Sequence, residues 1–198
     1  MRMENKERFI SLCESTKREG MAELLKWLEK SDFYTAPASS RFHGSYPGGL
    51  LEHSLNVYDE LTRLLKAYPE VKMGEDSVII CSLFHDLCKA NMYTPEKRFR
   101  KENGEWVQYD SYTIDEKFCF GGHGSKSVYL AQHFISLSPI EAAAINCHMS
   151  SWEDGAAKYV GKAFEKYPFA WLLHVADESA TYIREAKAVT DNNLAIEN

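Results

Sequence analysis

The segment SVIICSLFHDLCK (77–89) is apolar on nearly every side until His85 and Asp86 in its last turns. An apolar surface all round predicts a helix buried at the centre of a helical protein. An aspartate is almost never fully buried unless it is paired or bound to a metal. The adjacent His85-Asp86 pair therefore indicates a polar site inside the core, and a metal site fits these two residue types.

Helical periodicity continues on the N-terminal side of this segment, from GGLLEHSLNV (48–57) onwards. Four apolar residues and one histidine recur there at the three- and four-residue steps that place side chains on one face of a helix. These residues are Leu50, His53, Val57, Leu61 and Leu64. The spacing predicts a helix that starts near Gly49 and carries His53 on its buried stripe.

Further helices are predicted before and after this centre. Two open the chain at about 4–18 and 20–31, and two others span about 125–136 and 168–187. Ser138-Pro139-Ile140-Glu141 has the pattern of a capping box with proline at the first helical position. The helix that this box begins carries His148 near its end. His123 and Asp177 also lie at or near the ends of predicted helices.

One stretch interrupts the helical pattern. Asn103-Gly104 lies between strand-like residues and predicts a small β-hairpin near residues 97–113. The expected fold is therefore an all-α helical bundle with a β-hairpin insertion. No repeat, low-complexity tract or Pro/Ser-rich linker divides the chain. We expect a single domain over 1–198, with N-terminal helices in 1–32, a core at about 33–187 and a short C-terminal tail.

Composition narrows the class of protein. The chain of 198 residues has a formal net charge of -6, which disfavours binding to extended duplex nucleic acid. Its five cysteines are widely spread, without a Cys-x-x-Cys pair, which argues against a disulfide framework or a zinc ribbon. The sequence holds no apolar run of membrane-spanning length and opens with charged residues unlike a secretory signal. These features predict a cytoplasmic protein that does not enter a membrane.

Five motifs in order make the sequence similar to the HD superfamily of metal-dependent phosphohydrolases. GGLLEHSLNV (48–57), LFHDLCKA (83–90) and LLHVADE (172–178) resemble its entry, His-Asp and closing aspartate motifs. The additional His123, in GGHG, and His148, in INCHMSSWEDG, resemble the exonuclease-type and HD-GYP-like subset that has six ligands and two metals. The resemblance covers roughly residues 33–185 and implies an HD-domain helical bundle.

The resemblance also implies a ligand for each motif position. His53, His85, Asp86 and Asp177 are expected to hold a first metal ion. Asp86 is expected to bridge to a second ion that His123 and His148 also bind. Histidine and carboxylate ligands suit divalent transition metals, so the expected cofactor is a pair of Mn, Fe, Co, Ni or Zn ions. A bridging position needs a carboxylate, because a neutral imidazole has one lone pair for a metal.

Four residues are candidates for contact with the substrate. Lys89 lies on the same helical face as His85 and resembles a lysine that contacts the substrate phosphate; alternatively it is a solvated cation at a helix end. His43 resembles a substrate-facing histidine of the exonuclease-type relatives, or is a surface loop residue. Arg98 and Arg100, in the hairpin, belong either to a lid over a nucleotide-like substrate or to a solvated charged face.

These features predict an enzyme in which Asp86 and Lys89 are catalytic. It is expected to hydrolyse a phosphoester, as a phosphomonoesterase or phosphodiesterase, through a metal-activated hydroxide. A phosphorylated small molecule, a nucleotide or a short oligonucleotide is the expected substrate. Two alternatives stay open. Some diiron oxygenases share the fold and the ligand types, and a non-catalytic module that senses a nucleotide would also keep the fold. The oligomeric state does not follow from the sequence.

Overall fold

The computed structural model describes residues 2–150 and 157–186, which include eight α-helices and one antiparallel pair of strands. The helices are α1 (Arg2–Ser15), α2 (Met21–Lys30), α3 (Gly49–Ala67), α4 (Glu75–Phe84), α5 (His123–Gln132), α6 (Pro139–Cys147), α7 (Ala157–Lys166) and α8 (Pro168–Ser179). The strands are β1 (Tyr93–Glu102) and β2 (Glu105–Ile114). A 3-10 turn (Leu87–Lys89) precedes β1, and a π-helical turn (Ala180–Arg184) continues α8.

Two large clusters of buried side chains form most of the interior, and both α3 and α4 contribute to each of them. The first cluster joins these helices to α1 and α2, through side chains such as Phe9 and Leu28. The second joins them to α6 and α8, through side chains such as Ile145 and Leu173. The predicted stripe of α3 is buried along its whole length, and His53 is 1% exposed. A polar side chain on this stripe therefore lies between the two clusters.

The helix predicted over 77–89 ends earlier than its apolar pattern suggested. Regular α-helix stops at Phe84, and the 3-10 turn begins at Leu87. The physical reason is local. The carbonyl oxygen of Ser82 accepts a hydrogen bond from the imidazole of His85 at 2.7 Å, so a side chain satisfies one of the carbonyls left at the helix end. Asp86 then adopts a non-helical backbone conformation, with φ -105° and ψ 23°.

The other helix predictions agree with the structure in kind and differ in their bounds. The predicted capping box is present: the Ser138 hydroxyl accepts from the backbone N–H of Glu141, whose carboxylate accepts from the backbone N–H of Ser138. The helix predicted over 125–136 begins at His123 and ends at Gln132. Helix α7 had no prediction of its own. The C-terminal tail lies outside the described residues.

The hairpin is longer than predicted and occupies 93–114 instead of 97–113. Its turn is Asn103-Gly104, as expected, and both residues have positive φ (49° and 91°), which is typical of a type I′ turn. The strands pair from Tyr93↔Ile114 to Glu102↔Glu105. The Ser111 hydroxyl donates to the carbonyl of Ser40 at 3.3 Å, so the hairpin contacts the loop that precedes α3.

A mostly helical fold with one small hairpin is therefore observed. Across the two described ranges, no helix combines the length and the apolar character that crossing a bilayer would require.

Candidate metal centre

Five of the six predicted metal ligands lie together between α3, α8 and the C-terminal ends of α4 and α6. His53, His85, Asp86 and His148 are at most 2% exposed, and Asp177 is 8% exposed. The Nε2 atoms of His53 and His85 are 3.2 Å apart. Asp177 Oδ1 lies 3.1 Å from His53 Nε2 and 3.9 Å from His85 Nε2. Sequence positions up to 124 residues apart thus supply one compact polar group.

His85 and His148 are oriented by the same local arrangement. Each caps the C-terminal end of a helix, and each places Nδ1 at 2.7 Å from the carbonyl oxygen three residues earlier, Ser82 or Ile145. A carbonyl can only accept, so Nδ1 carries the proton in both rings. The Nε2 lone pair of each ring then points into the centre, which is the orientation that a metal-binding histidine needs.

His53 reaches the same orientation through a partner that the sequence analysis missed. Its Nδ1 lies 3.0 and 3.2 Å from the two carboxylate oxygens of Glu185, and Asn56 donates to that carboxylate at 3.0 Å. The neighbouring Arg184 is paired with Glu60 at 3.1 Å, which anchors the π-helical turn against α3. A histidine that donates one ring N–H to a carboxylate and offers the other nitrogen inward is the usual arrangement around a bound metal.

Asp86 stands between the two halves of the centre. Its Oδ2 lies 3.4 Å from His85 Nε2, 3.6 Å from His53 Nε2 and 2.6 Å from Lys89 Nζ. Its other oxygen, Oδ1, lies 3.5 Å from His148 Nε2. Oδ2 therefore faces His53 and His85, whereas Oδ1 faces His148.

Two atoms at this position lack a hydrogen-bond partner. Asp86 Oδ1 and His148 Nε2 are fully buried, and neither is hydrogen-bonded to any described residue. Burying a polar atom without a partner costs roughly 1–3 kcal/mol. A cation between these two lone-pair donors would satisfy both atoms, and another would separate the Nε2 atoms of His53 and His85. The residues present therefore fit the implied metal ions.

The pKa values show how protonated groups offset the negative charge of the buried carboxylates when no metal is bound. Burial alone would lower the pKa of His53, but its hydrogen bonds to Asp177 and Glu185 raise it to about 10. Burial would raise the pKa of Asp86, yet the positive charge of the Lys89 ammonium group holds it well below its usual range. Protons and an ammonium group thus occupy the positions that metal cations would take, and metal binding must displace them.

His123, the sixth predicted ligand, approaches from α5. Its Nδ1 lies 3.7 Å from Cys88 Sγ, and ligand atoms of Asp86, Cys88 and His123 all lie within 4.8 Å of one another. Helix α5 packs closely against α6 at Gly124, which has no side chain there. A Cβ at this position would lie 2.2 Å from the carbonyl oxygen of Asn146 in α6. Cys88 is buried, and it lies beside the two candidate ligands Asp86 and His123.

His43 and Lys89 both lie at the centre. The ring of His43 is 4.9 Å from that of His53, and its buried Nε2 has no partner among the described residues. Burial, followed by the neighbouring positive charges, lowers the pKa of His43 to about 4, so this imidazole is neutral at physiological pH. Lys89 is 7% exposed and its ammonium group pairs with Asp86, which raises its pKa. A solvated helix end does not describe this lysine.

The two hairpin arginines do not join this group. Arg98 pairs with Glu96 and lines a cavity of about 230 Å³, which Ser40 and Arg41 also line. Arg100 pairs with Glu102 at 2.6 Å and lies over the ring of Tyr109 at 5.1 Å from its centroid. Ser40 and Arg41 belong to the loop that carries His43, so of these two arginines Arg98 is the one that lines a cavity against this loop.

Comparison with curated proteins gives a relative that hydrolyses a phosphodiester. The chain is 30% identical, over 153 residues, to dihydroneopterin 2',3'-cyclic phosphate phosphodiesterase of Methanocaldococcus jannaschii. The aligned part makes up 76% of this chain and 53% of the relative, so the chain spans about half the length of that protein. No protein-family model matches the chain, and no solved structure matches it significantly. The chain is similar to a phosphodiesterase.

His174, one turn before Asp177 in α8, lies at the edge of the centre. Its Nδ1 lies 2.7 Å from the carbonyl oxygen of His148, so it holds the end of α6 against α8. Because that carbonyl can only accept, His174 donates this hydrogen bond.

Proposed function

We propose that this protein is a metal-dependent phosphoester hydrolase of the HD type. The observation that carries the proposal is the buried pair of lone-pair donors, Asp86 Oδ1 and His148 Nε2, which face each other without a partner among the described residues. His53, His85, Asp86 and Asp177 hold the first metal ion, and Asp86, His123 and His148 hold the second. When bound, two divalent ions supply Lewis-acid activation of water and neutralise charge on the phosphoryl oxygens.

The chain's own residues then position the substrate. Lys89 lies within 2.6 Å of Asp86, so its ammonium group can turn from that carboxylate to a phosphoryl oxygen beside it. Neutral His43 borders the same space and can accept or donate a hydrogen bond without adding charge. Buried walls around the centre exclude bulk water, which strengthens each of these interactions.

We infer that the substrate is a phosphorylated small molecule, and that a cyclic phosphate or a nucleotide is the first candidate. Support comes from the relative, whose name states a 2',3'-cyclic phosphate as its substrate. The net charge of -6 also disfavours a grip on extended duplex nucleic acid. Cyclic nucleotides and short oligonucleotides are therefore the first compounds to test.

The test combines metal content with hydrolysis. Metal-free protein is reloaded with Mn, Fe, Co, Ni or Zn, and metals per chain are measured with hydrolysis of bis(p-nitrophenyl) phosphate, p-nitrophenyl phosphate and 2',3'-cyclic nucleotides. We expect about two ions per chain and activity that depends on them. Asp86→Ala and the closer Asp86→Asn should lose activity and metal together, with circular dichroism confirming the fold.

Each other outcome has a distinct meaning. Turnover by a folded Asp86→Ala variant would contradict the bridging role. Iron-dependent oxygen consumption without hydrolysis would indicate that the protein is an oxygenase and not a hydrolase. Nucleotide binding with two metals but no turnover of any substrate would indicate a sensing module.

A further inference from the structure

We propose that Cys88 is a sulfur ligand of the second metal position, beside Asp86 and His123. The inference rests on the proposed metal centre and goes beyond its six expected ligands. Cys88 Sγ lies 3.7 Å from His123 Nδ1, and both belong to a group whose ligand atoms, with an oxygen of Asp86, lie within 4.8 Å of one another. A ligand set of carboxylate oxygen, imidazole nitrogen and thiolate sulfur is one that zinc and related ions accept.

The backbone holds Cys88 in this place. Its N–H donates to the hydroxyl of Ser127 at 3.1 Å, which ties the 3-10 turn to α5 one helical turn beyond His123. The residue is 1% exposed, so its thiol does not face solvent. Cys88 and His123 therefore approach each other from two elements that are hydrogen-bonded together.

A second observation points to a cation at this position independently of the cysteine. Asp86 is 2% exposed, and its Oδ1 has no hydrogen-bond partner in the described part of the chain. That oxygen faces away from Lys89, His85 and His53, which all approach Oδ2. An ion bound by Oδ1 would bring Asp86, His148 and His123 together, and Cys88 is the further donor beside Asp86 and His123.

A sulfur ligand would set which metals the second position takes. Thiolate is a soft donor that favours zinc, iron and cobalt, whereas magnesium and manganese prefer oxygen donors. The bound form is the thiolate, so metal binding releases the thiol proton to solvent. We therefore expect the second position to bind zinc or cobalt much more tightly than manganese.

Cobalt(II) provides a direct test, because sulfur-to-cobalt charge transfer produces a near-ultraviolet absorption that nitrogen and oxygen ligands lack. Metal-free protein of residues 1–198 is titrated with Co²⁺ alone, and the absorption spectrum is recorded with the number of ions bound. The variants are Cys88→Ser, which is nearly isosteric, and Cys88→Ala. Cys81→Ala is the matched control, because Cys81 is also buried but its thiol lies 3.9 Å from the carbonyl oxygen of Glu141.

We expect the charge-transfer band to grow with the second equivalent of cobalt in the wild-type protein and in Cys81→Ala. Both Cys88 variants should lack the band and bind the second ion at least about tenfold more weakly, while keeping the first. Two bound cobalt ions without the band would overturn the role of Cys88 and leave the metal centre intact. No cobalt binding at all would overturn the metal centre, and the cysteine ligand with it.

Discussion

Three histidines of the centre each have one ring nitrogen satisfied and the other directed inward. For His85 and His148 the outer partner is a helix-end carbonyl, and for His53 it is the carboxylate of Glu185. The difference matters chemically. A carboxylate pulls the Nδ1 proton more strongly than a neutral carbonyl and raises the basicity of the other nitrogen as a metal ligand. Among these three histidines, His53 is the ligand most dependent on its outer partner.

Glu185→Gln should therefore weaken binding of the first metal ion by about 10- to 100-fold without unfolding the chain. The amide keeps the size of the side chain and loses its charge. Isothermal titration of metal-free protein with Zn²⁺ or Mn²⁺ measures the affinity, and thermal unfolding of the metal-free form checks the fold. Glu178→Gln is the control. It removes the charge of a carboxylate beside Asp177, and the Glu178 side chain is not hydrogen-bonded to His53. Equal losses in both variants would mean that the total negative charge near the centre, and not the contact between Glu185 and His53, sets the metal affinity.

The sequence allowed the centre to be predicted to a large extent, residue by residue. Residue type and helix ends indicated a metal site, and the resemblance to the HD motifs assigned His53, His85, Asp86, His148 and Asp177 to it. The structure brings these residues together. Glu185 escaped because the π-helical turn before it changes the helical register, so the spacing from Asp177 is not informative. Cys88 escaped because a buried cysteine in apolar company is ordinarily a core residue, and the approach of α5 is a non-local contact.

At the scale of the elements, features that depend on a few neighbouring residues were predicted correctly. Helix ends that depend on tertiary contacts were not. The capping box and the Asn-Gly turn depend on a few neighbouring residues, and both are present. The end of α4 depends on where the His85 side chain finds a partner, which periodicity does not contain. The same capping box also has a tertiary role, because Glu141 receives hydrogen bonds from elements outside its own helix.

Glu141 joins three elements through one buried carboxylate. Arg18, which follows α1, donates to both of its oxygens at 2.8 and 3.2 Å, and Ser77 of α4 donates at 2.7 Å. Glu141→Gln should lower the free energy of unfolding by about 2 kcal/mol, because the charge that these donors face is removed. For a chain of this size that corresponds to a loss in Tm of roughly 5 °C in thermal unfolding. The control Glu29→Gln, at the exposed pair with Lys6, should change it by less than about 1 kcal/mol.

The contribution of Glu141 should also depend on pH with a definite sign. Burial alone would raise its pKa, but the hydrogen bonds from Arg18 and the neighbouring donors lower it. A lowered pKa in the folded state stabilises the fold fully above the unfolded value of about 4.3, and this stabilisation is lost as the pH falls through the folded value. The stability difference between wild type and Glu141→Gln should therefore be constant near neutral pH and shrink below about pH 4. A difference that grows on acidification would contradict this assignment.

At the scale of the whole molecule, the two large buried clusters and the exposed hairpin have different roles. The clusters meet along α3 and α4 and fix the positions of the ligands, whereas most hairpin side chains are exposed. Strand alternation divides the hairpin into two faces. Arg98, Arg100 and the buried Ser111 share one face, and Ser111 contacts the loop that leads to His43. This face is the one that can extend the surface around the centre.

Replacing residues 94–113 by a short Gly-Ser linker should therefore separate substrate binding from the metal centre. Tyr93 and Ile114 are a strand pair, so a few residues can join them. We expect unchanged metal content and unchanged kcat on p-nitrophenyl phosphate. KM for a nucleotide substrate should rise by about tenfold, the effect of one lost charge-assisted hydrogen bond.

Point variants locate that effect within the hairpin. Arg98→Ala should account for most of the rise in KM, because Arg98 lines the cavity with Ser40 and Arg41. Lys101→Ala removes a cation from the opposite face and should leave KM unchanged, which makes it the matched control. If the deletion and Arg98→Ala both keep the wild-type KM for nucleotides, the hairpin lies outside the substrate's path, and recognition must come from Lys89 and His43 at the centre itself.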